Sequence, residues 1–138
     1  MVDEAPVHHD GGCLCGAIRF RASGPGSAPA LCHCRSCQRA AGSPMVAWVT
    51  FPEDAVSLIQ GTPARWHSSA GVTREFCGQC GTPLSYRHGD HAGWIDLTVC
   101  SFDLAASFPP TDHIWLEHRL DWMRDLERLP GFPRTRSG

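Results

Sequence analysis

Cysteine placement constrains this chain more than any other feature. Seven of its eight cysteines fall into three tight clusters: Cys13-x-Cys15, Cys32-x-Cys34-x-x-Cys37 and Cys77-x-x-Cys80. Neighbours this close rarely bridge one another, because a disulfide wants Cα atoms about 4.4–6.8 Å apart with matched Cβ directions. They suit a metal that gathers thiolates around one centre. A Cys-x-Cys pair in extended chain directs both sulfurs to one side. A Cys-x-x-Cys pair does the same on a tight turn, here helped by Gly78 and Gly81.

The arithmetic separates two sites. Cys13, Cys15, Cys77 and Cys80 make a complete four-sulfur set that ties together two strands distant in sequence. A closed four-thiolate zinc of this kind contributes directly to folding. Cys32, Cys34 and Cys37 make a three-sulfur set that leaves one coordination position for an outside ligand. Cys32 and Cys34 face one way along extended chain and His33 faces the other, where it packs or hydrogen-bonds. Three thiolates on Zn²⁺ leave a unit of net charge −1, a weak activator of water that prefers a soft ligand such as a thiol. Cys100 stands outside the clusters. It is read as a small core residue on a strand shared with Asp96 and Thr98, with a fourth-ligand role as the alternative.

Bulk properties narrow the function classes. The formal charge is −2 from 12 Lys plus Arg and 14 Asp plus Glu, so no basic field marks a nucleic-acid binder. No run approaches the roughly 18 apolar residues that span a bilayer, and Met1-Val-Asp-Glu-Ala-Pro6 lacks a signal-peptide core. A soluble cytoplasmic protein is therefore expected, in a reducing compartment that keeps thiols free for metal.

The fold class expected is mainly β with little helix. Gly and Pro, 25 residues together, are spread evenly, which favours many short strands. Residues 16–22 alternate, with Ile18 and Phe20 opposite Arg19 and Arg21, and residues 45–50 and 94–100 also read as strands. Strands at 56–59 and 64–67 flank Gly61-Thr-Pro63 as a hairpin; strands at 73–76 and 84–87 flank the Cys77 knuckle. Short helical turns are expected at 36–41 and 120–126. One domain spans 11–130, with flexible tails at 1–10 and 131–138.

Three motifs in this order, Gly12-Cys-Leu-Cys-Gly16, Cys32-His-Cys-Arg-Ser-Cys-Gln38 and Phe76-Cys-Gly-Gln-Cys-Gly81, resemble the glutathione-dependent formaldehyde-activating enzyme family, which includes centromere protein V. Gly61, Trp66 and the ending His113-Ile-Trp115, Trp122 and Leu129-Pro130 extend the likeness to nearly the whole chain. The resemblance implies a β-tent fold of small antiparallel sheets around up to two zinc ions. It implies a structural zinc on Cys13, Cys15, Cys77 and Cys80, and a second zinc on Cys32, Cys34 and Cys37 that engages glutathione. The implied activity is that of a carbon–sulfur lyase, joining formaldehyde to glutathione or cleaving S-hydroxymethylglutathione. Its partners are then a small thiol and an aldehyde, with no nucleic acid and no membrane.

Arg35 and Arg39 are candidate partners for glutathione carboxylates. His33, His67 and Asp96 are candidate proton carriers. The competing reading is a zinc-stabilised module that binds thiols or partners without turnover. The stretch Thr98-Val-Cys-Ser-Phe-Asp-Leu104 departs from the family pattern.

Overall fold

A computed structural model describes residues 7–138. Its ten strands run in chain order β1 (His8–Gly12), β2 (Arg19–Ser23), β3 (Ser27–Cys32), β4 (Val46–Pro52), β5 (Val56–Gln60), β6 (Ala64–Ser69), β7 (Val72–Phe76), β8 (Pro83–His88), β9 (Trp94–Thr98) and β10 (Asp112–Ile114). Strands β1-β2-β5 form a three-stranded sheet, and β10-β3-β4-β9-β8-β7-β6 form a seven-stranded one. Every pairing is antiparallel except β10 on β3, where Ile114 lies opposite Cys32. Among the described residues the only α-helix is α1 (Arg35–Ala41); the remaining helical turns are 3₁₀. None is long and apolar enough to cross a membrane.

The apolar alternation explains how the sheets meet. Phe20 and Ala22 turn inward from β2 while Arg19 and Arg21 turn out to Asp103 and Asp10. Val49 and Phe51 from β4, Leu84 from β8 and Ile95 and Leu97 from β9 supply the opposing face. Phe102 and Phe108 fill the end, their rings 4.7 Å apart. Each such side chain contributes roughly 1.5–3 kcal/mol by leaving water. A smaller cluster of Cys32, Cys37, Val46 and Trp48 lies between α1 and the large sheet.

Three expectations need correction. Residues 56–67 are not a hairpin: β5 joins the small sheet and β6 the large one. Gly61 makes that crossing, with φ +76° and a position where a Cβ would stand 2.3 Å from the Ala17 carbonyl oxygen, so no other residue fits without displacing backbone. The N-terminal paired chain begins at His8, so residues 8–10 belong to β1 instead of a tail; residues 1–6 of that tail lie outside the described residues. Strand β9 ends at Thr98, and Cys100 sits exposed in the 3₁₀ turn Val99–Ser101, neither on the strand nor in the core.

Candidate metal centres and cleft

The four-cysteine cluster joins two turns, one from each sheet. Cys13 and Cys15 lie in the tight turn between β1 and β2, where Gly16 N–H donates to the Cys13 carbonyl (3.1 Å) and Ile18 N–H to its sulfur (3.2 Å). This turn, and not extended chain, brings the two sulfurs together. Cys77 and Cys80 occupy the β7–β8 turn, where Gly81 N–H donates to the Cys77 carbonyl (2.8 Å) and the amides of Gln79 and Cys80 reach its sulfur, each at 3.4 Å. Leu14 N–H crosses between the turns to the Thr82 hydroxyl (3.0 Å).

All four sulfurs lie within 4.8 Å of one another. Cys13–Cys15 and Cys15–Cys77 sulfurs are 3.6 and 3.7 Å apart. A tetrahedral zinc with Zn–S of about 2.3 Å needs sulfurs roughly 3.8 Å apart, so the cluster has the dimensions of a closed ZnS₄ site. The surroundings favour thiolate at Cys80 and oppose it at Cys15, where the Ala17 amide lowers the pKa but burial and the neighbouring sulfurs outweigh it and push it up to about 12. The Thr82 hydroxyl and amide and the Cys15 amide hydrogen-bond to Cys80 and pull its pKa down to about 5.

The three-cysteine cluster is built within one sheet. Cys32 ends β3, held between Val46 of β4 and Ile114 of β10. Cys34 is the N-cap of α1, its sulfur accepting the Cys37 amide at 3.2 Å, and Cys37 lies in the first turn. Its three sulfurs also lie within 4.8 Å of one another. Cys37 carries the negative charge most readily. The Cys32 and Cys34 thiols donate to it and the Arg74 guanidinium adds its charge, so its pKa falls to about 5 against the cost of burial. The same contact, read from the other side, pushes Cys32 up.

The residue between the first two sulfurs points away. His33 is fully buried, its Nε2 2.9 Å from Nδ1 of His113, and burial holds its pKa below the usual imidazole value. Gln38 fixes this loop by donating to the carbonyls of His33 (2.8 Å) and His118 (3.2 Å).

Above the three sulfurs opens a cleft of about 360 Å³. Its walls include Arg35, Trp48, Arg74, Tyr86, Asp96, Trp115 and His118. Of the two arginines singled out in the sequence, Arg35 lines the cleft, its guanidinium donating to the Gln38 side-chain oxygen, while Arg39 is exposed on α1 and is not a lining residue. Among the three candidate proton carriers, only Asp96 lines the cleft. Burial raises the pKa of its carboxyl, opposed by the hydrogen bond it accepts from the Thr50 hydroxyl. His67 is exposed on β6 beside Thr73.

Sequence reasoning passed over Arg74, Tyr86, Trp115 and His118. Arg74 and Tyr86 are register partners on β7 and β8, and the guanidinium lies 5.1 Å from the Tyr86 ring centroid with Nη1 and Nη2 each 3.8 Å from the Cys37 sulfur. The available signal was alternation, because Arg74 shares the face of Val72 and Phe76, an unusual place for a lone cation. Trp115 adopts φ 58°, ψ 39°, a left-handed conformation that costs a bulky residue about 1–3 kcal/mol, and it stacks on His118 at 5.9 Å. Glu75, by contrast, is buried but fully engaged by Ser85, Arg65 and Arg87, a structural ion cluster.

A family model and a named relative identify the family of this chain. The family model described as glutathione-dependent formaldehyde-activating enzyme matches residues 8–118. A putative glutathione-dependent formaldehyde-activating enzyme of Halomonas elongata is 28% identical over 139 aligned positions, covering 90% of this chain and 88% of that protein. An uncharacterised lyase of Schizosaccharomyces pombe is 31% identical over 90 positions; the match takes in 64% of this chain and 65% of the yeast protein, under two thirds of its length. A crystal structure of a Rhodobacter sphaeroides protein superposes with TM-score 0.60 at 15% identity, covering 75% of this chain and 98% of the other, a likeness of fold. The chain belongs to the glutathione-dependent formaldehyde-activating enzyme family.

Proposed function

We propose, with that family membership as the premise, that this chain is a zinc-dependent carbon–sulfur lyase acting on S-hydroxymethylglutathione or a related thiol–aldehyde adduct. The observation that carries the reading is the contrast between clusters: four sulfurs close on themselves, while three open onto a cleft that also holds Arg74 and Asp96. Cys13, Cys15, Cys77 and Cys80 are assigned to a structural zinc, and Cys32, Cys34 and Cys37 to the zinc of the reaction site. Zinc held by the three thiolates would supply a soft Lewis-acid position that favours sulfur and keeps an outside thiol ionised.

The chain's own residues do the rest. Arg74 and Arg35 offer guanidinium donors to the carboxylates of glutathione, a geometry suited to paired N–H···O contacts. Trp48 and Tyr86 give the cleft an aromatic wall beside the cysteines. Asp96 lines the cleft, and burial raises its pKa above the usual carboxylate value, which makes it the candidate proton carrier there. In adduct formation the thiol gives up its proton, a sulfur–carbon bond forms, the carbonyl π pair moves to oxygen, and that oxygen takes a proton, with Asp96 carrying it from sulfur to oxygen; cleavage runs the same steps backwards. The atoms balance with no oxidant or reductant. A reducing cytoplasm is the setting in which seven clustered thiols stay available for metal.

Exchange NMR on an equilibrium mixture of glutathione and formaldehyde tests this directly. Zinc-loaded protein should raise the interconversion rate above the spontaneous one, and Cys34→Ser should abolish the increase. Thiol binding with no gain in rate would instead establish the non-catalytic binding module.

A further inference from the structure

A second cleft of about 380 Å³ shares Cys37, Trp48 and Arg74 with the cysteine cleft, and almost everything else in its wall is apolar. It runs from Cys37 beneath α1 to the edge of the Cys77–Cys80 knuckle, between Ala40, Val46, Trp66, Phe76 and Pro83. Its charged neighbour Glu75 is turned into the ion cluster with Arg65 and Arg87, so the space offers an incoming molecule few polar partners beyond Arg74. Trp66 is 64% exposed on the edge strand β6, an indole that the fold leaves uncovered at the rim.

We propose that this cleft receives an apolar substituent on the aldehyde carbon, so that the preferred substrates are thiol adducts of bulkier apolar aldehydes and not of formaldehyde. The inference rests on the lyase reading above and deepens it. Formaldehyde brings no group that needs such a space, whereas ligand pockets of roughly 300–1,000 Å³ take whole organic side groups. Continuity at Cys37 settles which part of the substrate goes there. All three sulfurs line the polar cleft and only Cys37 lines the apolar one, so a molecule with its sulfur at the cluster has its polar thiol arm beside Arg35 and Asp96. The carbon joined to that sulfur is then the atom from which a short apolar arm reaches past Cys37. The chemistry is unchanged: the sulfur–carbon bond forms or breaks while one proton passes between oxygen and its carrier.

The test is a calorimetric titration of zinc-loaded protein with glutathione in excess formaldehyde or in excess phenylacetaldehyde, so that each hemithioacetal forms in the cell. The phenylacetaldehyde adduct should bind at least about tenfold more tightly, the factor expected when most of a phenyl ring leaves water. Ala40→Trp, which fills the cleft from the exposed side of α1, and Trp66→Ala, which removes its rim, should each erase most of that preference. Equal or tighter binding of the formaldehyde adduct overturns the inference while leaving the lyase reading intact. Failure of every adduct to bind overturns both. A tenfold preference that survives in both variants, each folded by circular dichroism, also overturns the inference, because the group would then sit elsewhere.

Discussion

The two cysteine clusters use similar local spacings to opposite ends. The four-sulfur cluster joins the β1–β2 turn of one sheet to the β7–β8 turn of the other, so its closure staples the two sheets together. The three-sulfur cluster is assembled from the end of β3 and the start of α1, neighbours in sequence, and no second sheet depends on it. On the proposed assignment the long-range closure marks the structural metal, and the local closure beside a cleft marks the one that engages a ligand. The electrostatics differ in the same sense. Hydroxyl and amide donors stabilise thiolate at Cys80, whereas at Cys37 the neighbouring Cys32 and Cys34 thiols and the Arg74 guanidinium do so.

Breaking the staple should have the largest effect. Cys77→Ser removes a buried ligand from the closed site, and structural zinc sites contribute about 10–16 kcal/mol of apparent binding energy in small domains. The variant should lose one zinc by atomic absorption and melt more than about 10 °C below the wild type. Retention of that zinc with unchanged melting would erase the distinction between the clusters. Cys34→Ser should fall next: loss of the other zinc and of thiol binding, with a melting shift of only a few degrees. A drop as deep as that of Cys77→Ser would make both sites structural.

Asp96→Asn sharpens the cleft side of the comparison. Because burial raises the folded-state pKa of Asp96, its contribution to stability is present at low pH and lost as pH rises through the folded value. Above the folded-state pKa the ionised, buried carboxylate is a cost, so Asp96→Asn should melt a few degrees higher on the alkaline side, and the gain should vanish in acid. Adduct turnover should fall even as stability rises. A variant equally stable at all pH values would remove Asp96 from the proton-handling role. The smallest effect belongs to Cys100→Ala, which should leave zinc content and thiol affinity unchanged, since Cys100 lies outside both sulfur groups.

These differences bear on how far sequence reading reaches. Both sulfur groups were legible, because ligand spacing within each motif is local and survives any error in topology. The inward faces of β2 and β9 were legible too, since Phe20 and Ala22, or Ile95 and Leu97, alternate with polar neighbours. Strand β3 was not, because Ala28 takes φ 49° and Pro29 interrupts the run, so the register with β4 shifts between Ser27 and Ala30. The false hairpin at 56–67 arose because Gly61-Thr-Pro63 carries turn chemistry, while the choice of sheet depends on packing against Ala17, information no local window contains. The cleft suffered most. Arg74 lies 37 positions from Cys37 and reaches it only through the β7–β8–β9–β4–β3 order of the large sheet. Arg35, chosen for its closeness to the cluster, lines the cleft; Arg39, chosen on the same ground, sits one helical turn on and faces solvent.

X-ray absorption at the zinc edge tests the division between a closed and an open site most directly. Protein loaded with two zinc ions averages a four-sulfur and a three-sulfur environment, so about 3.5 sulfurs per metal are expected without ligand. Saturating glutathione should raise that figure to about 4 as its sulfur enters the open position, with no change in Cys34→Ser protein. A value of about 4 before any thiol is added, or one that glutathione leaves unmoved, would contradict the open site.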